Sequence, residues 1–264
     1  MMYELPEMRS ITYRQCTDTE IRTLVLPSVV LLYVEEGSKY VSSRSNTVQC
    51  AASGEFAFLQ PDKELTIRNC PGSTGGYHAK GLVFERDALP EHPYCYSDSS
   101  KEFRCFRGDT EMVDAFIRLR MALESSDLPP QVVHARFYEL KAWLTRLGIQ
   151  LSPARTRTLT EKLRTLLASD LSHPWRGTEV AARMGMSEAT LRRSLVREDT
   201  CFTAIMRETR LQSALVRLQT TNETLSEIAF CTGFSSHSHF TNVFTKRFEF
   251  PPSHLRSRSE KRMI

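Results

Sequence analysis

The sequence predicts an α+β chain: an amino-terminal antiparallel β half, a short helical segment, and an all-α half built from two helix-turn-helix units. Three observations carry this reading. Between residues 22 and 86, short apolar runs alternate with Gly and Pro turns at the spacing of strands. From Val133 to Leu147, apolar residues recur at the period of a helix. Residues 225–256, LSEIAFCTGFSSHSHFTNVFTKRFEFPPSHLR, place one apolar helix face, a glycine turn and a second apolar helix face in succession. At 264 residues the chain is long enough for two domains with cores of their own.

In the β half, the apolar runs at 24–34, 40–51, 56–59, 65–68 and 77–85 are separated by Glu36-Gly37-Ser38, Ser53-Gly54, Gln60-Pro61-Asp62 and Pro71-Gly72. Short strands punctuated in this way form a small antiparallel barrel or sandwich.

Two helices follow. Met112, Phe116, Leu119 and Leu123 share a face behind a cap at Asp109. Val133, Phe137, Leu140, Leu144 and Leu147 then form a heptad seam that stops at Gly148. Two heptads are too short for an independent coiled coil, so the seam either packs on the β half or meets a second copy. The polar, Pro-containing stretch 152–158 reads as a linker.

In the last segment Leu225, Ile228 and Ala229 make the first helix face, Gly233 the turn, and Phe240, Phe244 and Phe248 the second face. A weaker copy lies upstream. Val180-Ala181 matches Ile228-Ala229 at an offset of 48, Gly185 stands for Gly233, and Leu191 and Leu195 match Phe240 and Phe244 at 49. The one-residue change falls in the turn. Between the copies, 202–220 carries Arg210, Leu211, Ala214 and Leu218 on a connecting helix of about 28 Å, comparable with the roughly 34 Å of one DNA turn.

Gly-Phe-Ser-Ser at 233–236, Ser-His-Phe at 238–240, Val-Phe at 243–244, Lys-Arg-Phe at 246–248 and Pro-Pro-Ser at 251–253, closing on Leu255-Arg256, resemble the second helix-turn-helix of the AraC/XylS family of bacterial transcription regulators. The chain departs from that pattern at Glu249 and at Glu198-Asp199-Thr200, where the family usually has a glycine. The Gly37 and Gly54-Glu-Phe-Ala-Phe-Leu-Gln-Pro patterns are similar to the family's cupin-like domain. The resemblance implies a cupin-like β-barrel over 1–108, a helical dimerisation segment over 109–151 and a DNA-binding domain over 159–264. It further implies a homodimer through Val133, Phe137, Leu140, Leu144 and Leu147, with promoter DNA and RNA polymerase as partners. The function it implies is transcription regulation, chiefly activation and including virulence or secretion genes, under a small ligand or a regulatory protein.

Charge agrees with this division. Residues 155–264 hold 18 Lys+Arg against 11 Asp+Glu, a net of +7, and residues 1–154 a net of −3. A basic half neutralises phosphates and releases their counterions. With Leu191 and Leu195 fixing the first recognition helix, Ala189, Arg192 and Arg193 fall outward, on positions that match the family's base-reading residues. Arginine reads guanine bidentately, and an alanine methyl suits thymine. His237, Ser238, Thr241 and Asn242 are the corresponding positions on the second helix; Asn242 suits adenine. Lys246 and Arg247 are expected to hold the DNA backbone.

Other classes find less support. Seven cysteines, Cys16, Cys50, Cys70, Cys95, Cys105, Cys201 and Cys231, are scattered with no C-x-x-C pair. With no signal peptide or long apolar run, they suit a reducing cytoplasm as buried thiols, with no membrane partner. His78, His92 and Cys95 are too dispersed for a metal centre, and His237 and His239, two apart on a helix, do not face one another. Neither a metal nor a cofactor is expected. The alternative reading, a DNA-targeted enzyme with a catalytic β domain, lacks a nucleophile or metal cluster. A small apolar effector in the barrel has Lys39, Arg22 or Arg68 as a carboxylate anchor.

Overall fold

The computed structural model describes residues 7–44, 47–85, 102–151 and 158–256. It divides into two compact units, Met1–Ala154 and Arg155–Ile264. The expected linker 152–158 lies outside the described residues except Thr158, which belongs to the following helix.

The first unit contains, among the described residues, nine strands: β1 Met8–Gln15, β2 Thr19–Val25, β3 Val29–Glu36, β4 Ser38–Ser43, β5 Val48–Ala52, β6 Phe56–Leu59, β7 Glu64–Cys70, β8 Tyr77–Phe84 and β9 Phe103–Phe106. They form a five-stranded sheet ordered β1-β8-β3-β6-β9 and a four-stranded sheet ordered β2-β7-β4-β5. Every pairing is antiparallel. Side chains meet across the two sheets: Asn69 of β7 donates to Gln15 of β1 at 3.0 Å, and the Lys39 ammonium of β4 lies 5.4 Å from the Tyr77 ring of β8. This barrel-like sandwich is the expected architecture. The long apolar runs are subdivided, however. Residues 24–34 break at the Pro27-Ser28 turn between β2 and β3, and 40–51 break between β4 and β5.

The other face of the five-stranded sheet is covered by two helices, α1 Thr110–Glu124 and α2 Pro130–Arg146. Asp109 caps α1, its carboxylate accepting from the Met112 amide at 3.0 Å. Leu31, Phe56, Phe58, Leu82 and Phe84 of the sheet form one core with Met112, Phe116 and Leu119 of α1 and Phe137, Leu140 and Leu144 of α2. This corrects the expected dimer seam. Phe137, Leu140 and Leu144 are fully buried within a single chain, and Val133 and Leu147 pack at the edge of the same cluster. The heptad spacing marks the stripe α2 buries against its own sheet and α1.

The cysteine expectation also changes. Cys16, Cys50, Cys201 and Cys231 are exposed, and Cys70 and Cys105 are half-buried; Cys95 lies outside the described residues. Strand alternation turns Cys50 outward while its neighbour Ala51 points inward. Cys201 and Cys231 sit at helix ends.

The second unit is all helical: α3 Leu159–Ala168, α4 Gly177–Arg183, α5 Glu188–Arg197, α6 Phe202–Thr220, α7 Leu225–Cys231, α8 His237–Phe248, and a closing 3-10 turn at Pro252–Leu255. A capping box at Thr158 and Glu161 starts α3. Glu198 reinforces it, accepting from the amides of Leu159 at 3.2 Å and Thr160 at 3.0 Å. Leu163 and Leu167 of α3 then join Trp175, Val180, Ala181, Leu191, Leu195 and Ile205 in the core of the first helix-turn-helix. Around the second, Phe234, Phe240, Phe244 and Phe248 form a ladder of rings spaced 5.3, 5.5 and 4.5 Å.

Candidate nucleic-acid interface

Two glycine turns aim the two recognition helices. Gly185 and Gly233 adopt φ of +69° and +79°, the left-handed region in which side chains are strained. At Gly233 space demands glycine as well, because a Cβ would lie 2.2 Å from the Leu171 carbonyl oxygen and 2.7 Å from the Arg210 guanidinium. That guanidinium, half-buried on α6, donates to the carbonyls of Leu171 at 3.1 Å and His173 at 3.2 Å. The turn of the second helix-turn-helix is thereby seated against the loop that precedes α4 in the first.

Ser187 caps α5, accepting from the Thr190 amide at 3.1 Å, and Ser236 caps α8, accepting from the His239 amide at 3.2 Å. Both caps satisfy first-turn amides. Leu191 and Leu195 bury one side of α5, and Ala189, Arg192 and Arg193 stand exposed on the other. The same stripe continues to Val196, an apolar side chain 65% exposed that the sequence reading passed over. Its signal was its spacing, four residues beyond Arg192.

On α8, Phe240, Phe244 and Phe248 are buried, while His237, Ser238, Asn242 and Lys246 are exposed. Two positions differ from expectation. Thr241 is half-buried and its hydroxyl, enclosed by the protein, has no hydrogen-bond partner. Arg247 turns inward to Glu208 of α6, with Nε 2.8 Å from Oε2 and Nη2 2.7 Å from Oε1, and its guanidinium lies 4.9 Å from the Phe248 ring. Arg247 follows Phe240 by seven residues and Phe244 by three, which places it on the buried stripe; Lys246 lies on the open side.

Cys201 starts α6, and the Thr203 hydroxyl, then the Ala204 amide, hold its pKa below the usual thiol value.

Of the three basic residues considered as effector anchors, Arg22 is exposed and bonded to Glu20 at 2.7 Å, and Arg68 is exposed and paired with Asp18 at 2.6 Å. Lys39 points into the sandwich and is 4% exposed. His78, on β8, meets Glu36 at 3.3 Å, and His92 lies outside the described residues.

A family model for a helix-turn-helix domain matches residues 180–258. The chain is 34% identical across 93 residues to the HTH-type transcriptional activator CsvR of Escherichia coli, covering 35% of each protein. It is 29% identical across 99 residues to the transcriptional activator PerA of Escherichia coli, covering 38% of this chain and 36% of PerA. This unit carries an AraC-type helix-turn-helix domain. The chain spans about a third of the length of these curated relatives. The fold extends further. An apo variant of ToxT from Vibrio cholerae matches with a TM-score of 0.67 at 12% identity, over 95% of this chain and 97% of that one. ToxT with a bound unsaturated fatty acid matches with a TM-score of 0.63 at 13% identity, over 96% of both. At that identity the likeness is one of fold: a β-sandwich unit followed by an AraC-type domain. Among the described residues, no helix is long and apolar enough to cross a membrane.

Proposed function

We propose that this chain is a sequence-specific transcription regulator, an activator of bacterial promoters working in the cytoplasm, that binds double-stranded DNA through α5 and α8. The observation that carries this is the pairing of two capped, glycine-aimed helices. Each buries an apolar stripe and presents an exposed one: Ala189, Arg192 and Arg193 on α5, and His237, Ser238 and Asn242 on α8. Thr241 borders the second stripe. Arg192 and Arg193 are the principal base readers, since guanidinium groups discriminate guanine by about 1–3 kcal/mol per bidentate contact. Lys246 holds phosphate. The net charge of +7 over residues 155–264 supplies the salt-sensitive part of the affinity.

Recruitment of RNA polymerase follows from the family reading, as does control by the β unit. The relatives named as transcriptional activators support activation; a role at virulence or secretion promoters is carried over from the family resemblance. The fatty acid in one ToxT structure supports a small apolar effector over a regulatory protein. Homodimerisation is carried over from the family, and the burial of Phe137, Leu140 and Leu144 in the core of one chain supports a surface other than the 133–147 seam for it.

Footprinting upstream of the chain's own gene and its neighbours tests this reading. Protection is expected at about 50 mM salt, weakening steeply as salt rises; no protected site at that salt overturns it.

A further inference from the structure

One side chain on α5 is accounted for neither by the packing of its unit nor by its charge. Val196 is 65% exposed. Its neighbour Leu195 enters the core of the first helix-turn-helix, and among the described residues Val196 takes no part in that core. Valine is also a poor helix former at an open position, because its branched Cβ gives up rotamer freedom that Leu, Lys or Arg keep. Neither burial nor helix propensity calls for it here.

Its place on the helix does. Val196 follows Ala189 by seven residues, Arg192 by four and Arg193 by three, and all four are exposed. They form one stripe along the outward face of α5, two guanidinium groups between two apolar ones. From Arg192 to Val196 the helix advances about 6 Å, or about two base-pair steps at roughly 3.4 Å each. The base edges in a major groove are hydrogen-bonding groups, with one apolar exception, the C5 methyl of thymine. An isopropyl group facing those edges has that methyl to pack against. The second recognition helix lacks the feature: at the offset of 49 between the two helices, the position of Val196 is taken by Thr245 of α8, which is half-buried.

We propose that Val196 determines specificity at one base pair by packing on a thymine methyl, in the half-motif read by α5. The contact rests on the reading that α5 enters the major groove, and it adds a base preference to the stripe that Arg192 and Arg193 begin. Closing one methyl group away from water between two apolar partners is worth about fourfold in affinity. The effect belongs to the methyl alone. Uracil, which pairs and hydrogen-bonds as thymine does, forfeits it.

Equilibrium binding of the full chain to the protected promoter, with each thymine exchanged in turn for deoxyuridine, tests the contact. Wild type is expected to lose about fourfold at one thymine or more. Val196→Ala is expected to bind the unmodified site weaker by about the same factor and to be indifferent to the exchange at that thymine. Its melting temperature is expected to stay or rise, since alanine is the better helix former at an exposed position. Lys246→Ala, weakened at every sequence by the loss of a phosphate contact, is expected to keep the wild-type sensitivity to the exchange. A site at which no exchange weakens wild type, or at which Val196→Ala keeps the wild-type loss at every thymine, overturns the methyl contact and leaves α5 as a DNA-binding helix. A chain that protects no DNA removes the DNA-binding reading itself, and the contact with it.

Discussion

Arg247 of α8 grips Glu208 of α6 through two nitrogens, Nε at 2.8 Å from Oε2 and Nη2 at 2.7 Å from Oε1. Both side chains are mostly enclosed, at 22% and 25% exposure. Two neighbouring cations in the sequence therefore do different work. Arg247→Ala is expected to lower the stability of the AraC-type domain by about 1 kcal/mol, the scale of a charge-assisted bond discounted for partial exposure. Lys246→Ala is expected to leave the melting temperature unchanged and to weaken DNA binding uniformly across sequences, with a salt slope shallower by roughly 1. Melting curves and salt titrations of both variants check this; a melting loss in the lysine variant alone would reverse the roles.

Leu140 tests the reassigned seam. It is fully buried among Phe84, Phe116 and Phe137 in the core shared by sheet and helices. Leu140→Glu places an unpaired charge there, so it is expected to cost at least the roughly 2–5 kcal/mol of a buried leucine truncation and to unfold the first unit. Near-ultraviolet circular dichroism should show its tertiary signal lost. A natively folded monomer formed from a dimeric wild type would restore the seam as an interface.

Glu249, where the resemblance implies glycine, and Asp199, within the Glu198-Asp199-Thr200 stretch that lacks one, both adopt the left-handed conformation, with φ of 68° and 54°. The turns are kept and the strain is borne by the backbone. Glu249→Gly is expected to stabilise the domain by about 0.5–1 kcal/mol, and Asp199→Gly by less, because aspartate tolerates this region better. Denaturant midpoints read the effect, and a loss of stability in Glu249→Gly would contradict the strain argument.

Cys201 and Cys231 are both exposed, yet the Thr203 hydroxyl and the first amides of α6 favour the thiolate of Cys201. Cys201 is expected to be alkylated faster than Cys231 at pH 7. Mass-spectrometric rates at each site decide it; faster reaction at Cys231 is the contrary result.

The parts of the fold legible in the sequence were those with a strong period or a constrained turn. Phe240, Phe244 and Phe248 announced α8 because rings at four-residue spacing have one use on a helix. β1 escaped because its sequence, MRSITYRQ, mixes charge into both faces; the strand is only half-buried until Gln15. The start of α3 escaped although Thr158 and Glu161 carry the signature of a capping box, because its polar approach resembles a linker. The seam was found but its partner was not, because a heptad says which face is buried and leaves open what covers it. In the candidate interface, exposure follows the helical wheel at Ala189, Arg192 and Arg193. Arg247 departs because an acidic partner 39 residues away in sequence draws it inward, a pairing that no local pattern contains.

The central claim is that α5 and α8 read one face of the same duplex, and half-site spacing in the protected promoter tests it most directly. The expected result is two half-motifs about one helical turn apart, with a five-base-pair insertion between them reducing affinity to the non-specific level and Arg193→Ala relaxing the preference at one base pair of one half. A single half-motif that tolerates the insertion, with base preference unchanged in Arg193→Ala, would contradict it.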